Sequence, residues 1–136
     1  MRQILIGLMV LAVAACGRAA PGDDEGRSVV AALAYAEWCP NCKVLEPKLE
    51  AVLDEHSYVD TSFVTLDFTS RDNATFLEAA DQAGVGSAVR EQFKSQVTTG
   101  LLLLVDSDTQ EIVGVVDKTL TEDEIHEAIV AASAGS

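Results

Sequence analysis

The chain has 136 residues, a length that suits one folded domain and not two. Its 22 acidic residues outnumber its 9 basic ones, which gives a formal net charge of −13 at pH 7. A charge of this sign disfavours binding to nucleic acid or to an anionic membrane surface, and it fits a soluble acidic domain or a docking face for one basic partner.

The first fifteen residues have the pattern of a secretory signal peptide. Arg2 supplies a positive charge, and residues 4–13 form an apolar run that is too short to span a bilayer as a helix. The stretch "VAAC" that follows, ending at Cys16, resembles the lipobox of bacterial lipoproteins. The resemblance implies cleavage before Cys16, with lipid on its thiol and on the new amino group. A secreted protein with a stray cysteine is the alternative.

The leader predicts where the protein works. Gly17, rather than Asp, follows Cys16, which resembles the outer-membrane sorting pattern of Gram-negative lipoproteins. We therefore expect a lipid-anchored protein on the periplasmic side of a bacterial membrane, namely the outer one, in a compartment where disulfides persist. Residues 16–27, rich in Gly, Pro and charge, predict a flexible tether with a reach of roughly 18 Å. Acylation of Cys16 would leave Cys39 and Cys42 as the thiols of the mature protein.

Strands and helices alternate along the remaining residues, 28–136. Apolar runs and moderate alternation predict strands over 28–35, 62–68, 100–106 and 111–117. Helical periodicity and capping signals predict helices over 40–56, 72–84 and 121–132, with a shorter one over 87–93; the last long helix starts with a Thr121–Glu124 capping box. Because helices connect the first three strands, we expect these strands to be mutually parallel, with a final antiparallel hairpin strand. The fold class is α/β, with a central mixed sheet of about four strands flanked by helices.

The stretch "AEWCPNCK", residues 36–43, holds Cys39 and Cys42, and three uses of such a pair compete. As a structural staple, a four-residue loop would contribute only about 2 kcal/mol. As a zinc site, it would need two more ligands, and His56 and His126 lie at the far end of the helix and in the last helix, where we expect solvated surface histidines. Two thiolates alone could still hold Cu(I), a soft ion that accepts low coordination.

The redox use fits the local sequence best. Cys39 follows a buried strand and opens a helix, where unpaired N–H groups favour a thiolate, and Pro40 suits the first helical turn. Cys42 lies one turn later, where it can attack a mixed disulfide formed at Cys39. We expect Cys39 to be exposed and Cys42 to be shielded.

The stretch "YAEWCPNCKVLEP", residues 35–47, resembles the active-site motif of the thioredoxin superfamily, and the predicted element order is similar over residues 28–132. The resemblance implies a thioredoxin-like fold, with a helical insertion before the third strand, and no organic cofactor or metal. It makes Cys39 the attacking cysteine and Cys42 the resolving one, and it implies a Cys39–Cys42 disulfide. It also places Trp38, with Pro40, Asn41, Thr98 and Thr99, on the surface that docks partners.

Three positions depart from the pattern of that superfamily. Leu33 stands where members often carry a buried acid, and Thr65 stands near the place of the lysine often paired with it. The stretch "QVTTGLLLL" lacks the proline that usually faces the cysteine pair, and Thr99 takes its place. The first two departures leave the proton of Cys42 without its usual acceptor.

These observations together predict a monomeric, membrane-tethered thiol–disulfide oxidoreductase. It would exchange a Cys39–Cys42 disulfide with cysteine-containing exported proteins and with a separate thiol–disulfide redox partner. It would touch the membrane through the lipid on Cys16 and would bind no nucleic acid. Two alternatives stay open, namely a thioredoxin-like Cu(I)-binding carrier and a non-catalytic interaction domain that keeps the motif.

Overall fold

A computed structural model describes residues 28–94 and 96–134. The predicted signal peptide, the lipidation site Cys16 and the tether lie outside the described residues. Within those residues, none of the helices combines the length and the apolar character that a membrane span requires. The elements in chain order are β1 Val29–Tyr35, α1 Pro40–Glu55, β2 Thr61–Asp67, α2 Asn73–Gln82, α3 Gly86–Gln92, β3 Leu101–Asp106, β4 Ile112–Val116 and α4 Glu122–Ser133.

The four strands form one mixed sheet in the order β2-β1-β3-β4, as the predicted fold class requires. β1 pairs parallel with β2, in a register that sets Val29 opposite Thr61. β1 pairs antiparallel with β3, and β3 pairs antiparallel with β4. The prediction that the first three strands are mutually parallel is therefore correct for β1 and β2 and wrong for β3.

The direction of β3 follows from the two-helix connection that precedes it. The connection leaves the sheet beside the end of β1, where the N–H of Phe68 donates to the carbonyl of Tyr35 at 2.6 Å. It returns to the same end of the sheet, where the N–H of Gly100 donates to the carbonyl of Ala34 at 2.7 Å. A single crossover helix would bring the chain to the opposite end of the strands, whereas α2 and α3 together bring it back to the end that it left. β3 therefore runs against β1.

Side chains alternate between two apolar layers, one on each face of the sheet. On one face, Ala31 and Leu33 of β1 pack with buried residues of α1 and α4; on the other, Ala32 and Ala34 pack with α2 and α3. The first layer also contains Leu45, Leu49, Val52, Ile125 and Ile129, and the second contains Phe76, Ala80, Ala88, Val89 and Phe93. Because both faces are covered, β1 is the central buried strand, and its end provides a rigid base for the following residues.

Side-chain caps fix where the helices start. The carboxylate of Asp72 accepts from the N–H of Ala74 at 3.0 Å at the start of α2. The capping box predicted for α4 is present: the Thr121 hydroxyl accepts from the N–H of Glu124 at 3.1 Å, and the Glu124 carboxylate accepts from the N–H of Thr121 at 2.9 Å. Such caps satisfy N–H groups that have no partner inside the helix.

Candidate functional site

Cys39 lies at the junction between β1 and α1. It is the N-cap residue of α1, with φ −83° and ψ 112°, and Pro40 takes the first helical turn. Its Sγ accepts from the N–H of Cys42 at 3.2 Å, the role that a Ser or Asp oxygen fills in most helices. The sulfur therefore lies where the first N–H groups of the helix point, which favours its anionic form.

Cys42 occupies the first turn of α1 and is fully buried. Its Sγ also lies 3.7 Å from the carbonyl oxygen of Ala34, which is an alternative to Cys39 as acceptor for the one S–H proton. Burial raises the pKa of Cys42 to about 11, and the hydrogen bond to Cys39 and the nearby negative charges act in the same direction. Cys42 is therefore a thiol at neutral pH. Both cysteines are free thiols in this structure, which represents the reduced state of the pair.

The pKa of Cys39 moves the other way. Burial alone would raise it, but four hydrogen bonds outweigh burial and hold the pKa of Cys39 below its ordinary value. The donors are the Cys42 thiol, the Thr99 side chain and the backbone N–H groups of Cys42 and Asn41. The two thiols of one helical turn therefore differ in acidity, with the first residue the more acidic.

The expectation that Cys39 is exposed is wrong for this structure, because only 2% of the residue is accessible. The segment that precedes β3 covers it: the Thr99 side chain donates to the sulfur, and the backbone of Gly100 lies beside it. A partner sulfur can reach Cys39 only if the side chain or this covering segment shifts.

The covering segment comprises residues 98–100, and the central strand holds it in place. The carbonyl of Ala34 accepts from the N–H of Gly100. Thr99 is half-buried and Thr98 is exposed. No peptide bond among the described residues is cis, so the bond before Thr99 is trans. The hydroxyl of Thr99 faces the cysteine pair, because it forms a hydrogen bond to the sulfur of Cys39.

Gly100 is a site residue that the sequence analysis missed. Its φ is +88°, and a Cβ added there would lie 2.6 Å from the Cβ of Asn41 and 3.4 Å from the Sγ of Cys39. Only glycine fits both the backbone angle and the close approach. The available signal was a glycine placed directly between Thr99 and a buried strand.

Trp38 is 40% exposed and its ring is held in place by the loop after β2. Its indole N–H donates to the carbonyl of Thr69 at 3.0 Å, and its ring meets Phe68 edge-on. The guanidinium of Arg71 lies 4.0 Å from the ring centroid, a cation–π contact that no sequence pattern predicted. Pro40 is exposed and Asn41 is half-buried. Together with Trp38 they form the protein surface next to the cysteine pair.

The two positions that lack the usual charged pair are neighbours in the structure. Leu33 and Thr65 face each other across the β1–β2 ladder. With Glu46 and Leu49 of α1 they line a cavity of about 190 Å³. The charged pair is thus replaced by an apolar residue and a hydroxyl, and the carboxylates that line this space, Glu46 and Glu50, come from α1 instead.

Within the described residues, no three His, Cys, Asp or Glu side chains lie close enough together to hold a metal ion. His56 is exposed, as expected, and His126 is half-buried; their rings stack at a centroid distance of 3.7 Å. The hydroxyl of Tyr58 lies 2.6 Å from Nδ1 of His126. The stacked rings lie at the C-terminal end of α1. Because α1 is about 24 Å long and the cysteine pair lies at its N-terminal end, the stack is separate from the pair.

Comparison with known proteins agrees with the fold and with the motif. The thioredoxin family model matches residues 24–87, which include both cysteines and Trp38. Among solved structures, StoA from Bacillus subtilis is similar with a TM-score of 0.50 and 15% sequence identity, over 76% of this chain and 83% of that one. At this identity the similarity concerns the fold alone. No curated protein matches the chain significantly.

Proposed function

The chain belongs to the thioredoxin superfamily, and on that premise we propose that it is a thiol–disulfide oxidoreductase. The domain exchanges a Cys39–Cys42 disulfide with cysteines of exported proteins, and a separate thiol–disulfide partner restores its starting redox state. The observation that carries the proposal is the difference in acidity between two thiols one helical turn apart. The pKa of Cys39 is lowered, whereas burial raises the pKa of Cys42 to about 11.

This difference suits two successive displacements at sulfur. In the reducing direction, the Cys39 thiolate attacks a partner disulfide, one partner sulfur leaves as a thiolate, and a mixed disulfide forms. Cys42 then loses its proton and attacks the Cys39 sulfur, and the second partner sulfur leaves as a thiolate that takes up a proton. The partner gains two electrons, and the domain ends with a Cys39–Cys42 disulfide. Oxidation of a partner dithiol is the same sequence in reverse.

A redox titration of the domain against glutathione tests the proposal. We expect one two-electron transition; a potential below about −250 mV would assign a reducing role, and one near −120 mV an oxidising role. Cys39→Ser should abolish exchange with a small disulfide, whereas Cys42→Ser should stop at the mixed disulfide.

Three outcomes would contradict the oxidoreductase. The first is the absence of an intramolecular disulfide across the whole titration. The second is exchange by Cys39→Ser at the parent's rate. The third is Cu(I) bound by the parent and lost in the double Cys→Ser variant, without any redox turnover, which would support the carrier instead.

We also propose that the domain is anchored through lipid on Cys16, on the periplasmic side of the outer membrane. The lipobox-like "VAAC" and Gly17 support this placement. The tether predicted for residues 17–27 would keep the domain close to that membrane, where it would act on neighbouring proteins. Mass spectrometry of the protein from fractionated cells should find a diacylated or triacylated Cys16 in the outer-membrane fraction. An unmodified N-terminus in the soluble fraction would disprove the anchor.

A further inference from the structure

The resolving step of the proposed exchange requires a base. Cys42 must lose its proton before its sulfur can attack Cys39, yet desolvation by burial, which persists in the mixed disulfide, raises the pKa of this thiol above its ordinary value. The neighbouring residues of the sheet give no help, since Leu33 is apolar and Thr65 carries only a hydroxyl. The acceptor must come from another element.

Glu46 is the group that the helix places there. It follows Cys42 by four residues in α1, a spacing that brings side chains of one helical face within about 5–6 Å at their Cβ atoms. Its side chain is half-buried and lines the cavity beside Leu33 and Thr65. The cavity, at about 190 Å³, has room for water. The negative charge of Glu46 also acts on the Cys42 thiol, which shows that the two side chains are close.

We propose that Glu46 is the general base of the resolving step, a role that rests on the proposed exchange function. In the mixed disulfide, the Glu46 carboxylate takes the proton of the Cys42 thiol, directly or across one water molecule. The Cys42 sulfur then attacks the Cys39 sulfur, the bond between Cys39 and the partner breaks, and the electron pair leaves with the partner sulfur. Glu46 returns its proton to that leaving thiolate or to solvent, so the carboxylate is regenerated.

Other ionisable groups near the pair are less suited to this role. Desolvation by burial raises the pKa of Tyr35, and negative charges including Glu46 act in the same direction, so it stays protonated. A hydrogen bond from Thr69 lowers the pKa of Asp67, so it is a weak base. Among the other charged groups, Glu37 and Lys43 are exposed, and Arg71 lies over the Trp38 ring. Glu50 lies a further helical turn away, and Nζ of Lys48 donates to the carbonyls of Lys118 and Leu120.

A two-phase reaction isolates the step. The reduced domain is mixed with a chromogenic aromatic disulfide in a stopped-flow instrument. The first phase, attack by Cys39, depends on reagent concentration; the second, release of the remaining aromatic thiol by Cys42, does not. We expect the second-phase rate to change little between about pH 6 and pH 8 in the parent. In Glu46→Gln it should rise about tenfold per pH unit, from about a thousandfold below the parent at pH 6 to about tenfold below it at pH 8.

Controls separate this role from its alternatives. Glu50→Gln, which removes a carboxylate from the same cavity, should leave the second phase unchanged, and Glu46→Asp should retain part of the rate. An unchanged first phase shows that each variant is folded. If Glu46 acted only through its charge, Glu46→Gln would lower the pKa of Cys42 and speed the second phase, which would overturn the proposal. A parent with no second phase would instead contradict the exchange function itself.

Discussion

Limited alkylation of the reduced domain at about pH 7 is expected to label Cys39 at least about tenfold faster than Cys42. Alkylating reagents react with the thiolate, and hydrogen bonds hold the pKa of Cys39 below the ordinary value of 9.0, while burial raises that of Cys42 to about 11. A gap of two pKa units is about a hundredfold in thiolate population, and the greater nucleophilicity of the more basic Cys42 thiolate offsets about tenfold of this ratio. The rate constant for alkylation of Cys39 should be lower than that of an exposed thiol with the same pKa, since the covering segment leaves Cys39 only 2% exposed.

Mass spectrometry of peptides after a short exposure to iodoacetamide measures the ratio. The preference should narrow as pH rises, because the Cys39 thiolate population saturates first while that of Cys42 keeps increasing up to about pH 11. The same reaction in denaturant is the control, and there the two cysteines should react at similar rates. Equal labelling of the native domain at pH 7, or faster labelling of Cys42, would reverse the roles assigned to the pair.

Much of the fold could be predicted because local signals and burial agree. The apolar run of β1 predicted a central strand, and the Thr121–Glu124 pair predicted the start of α4. The direction of β3 could not be predicted in the same way, since strand direction depends on where α2 and α3 return the chain. Apolar character alone also does not decide burial in α1, since Val44 and Leu53 are 46% and 38% exposed, whereas Leu45, Leu49 and Val52 are buried.

The site was predictable where neighbours in sequence are neighbours in space. Cys39 and Cys42 are three residues apart, so the helix start fixes their relation. The cover over Cys39 depends on Thr99 and Gly100, which lie about sixty residues away along the chain and meet it only through the pairing of β1 with β3. Arg71 reaches Trp38 in the same non-local way. No single-sequence pattern contains such contacts.

Glu46 shows how a departure from a family pattern can be offset elsewhere. The sequence showed that the sheet lacks an acid at Leu33, but it could not show that the helix supplies one to the same cavity. The sequence shows Glu46 as an acid four residues after Cys42. Its location at this cavity depends on the packing of α1 against β1 and β2, which the sequence alone does not show. Thr99 is a second such case, because a hydroxyl replaces the proline that the resemblance implied.

Thr99→Val is expected to reduce the thiolate population of Cys39 at about pH 7 by about tenfold or more. The variant keeps the shape of the side chain and removes the hydroxyl that donates to the Cys39 sulfur. A hydrogen bond to a charged group contributes about 1.5–3 kcal/mol, and the loss of one stabilises the thiol relative to the thiolate. The pKa of Cys39 should therefore rise. Titration of the thiolate by its ultraviolet absorbance measures the change.

Thr99→Ser is the matched control, since it retains a hydroxyl at the same place and should titrate close to the parent. The rate of attack on a disulfide should fall less than the thiolate population does, because a more basic thiolate is the stronger nucleophile, with a Brønsted coefficient of about 0.4–0.5. A tenfold loss of thiolate then corresponds to a loss of about threefold in rate at neutral pH, and to a gain in rate above the raised pKa. If Thr99→Val titrated like the parent, the hydroxyl would make no hydrogen bond to the sulfur in solution. The lowered pKa of Cys39 would then result from the N–H groups of α1 and from Cys42.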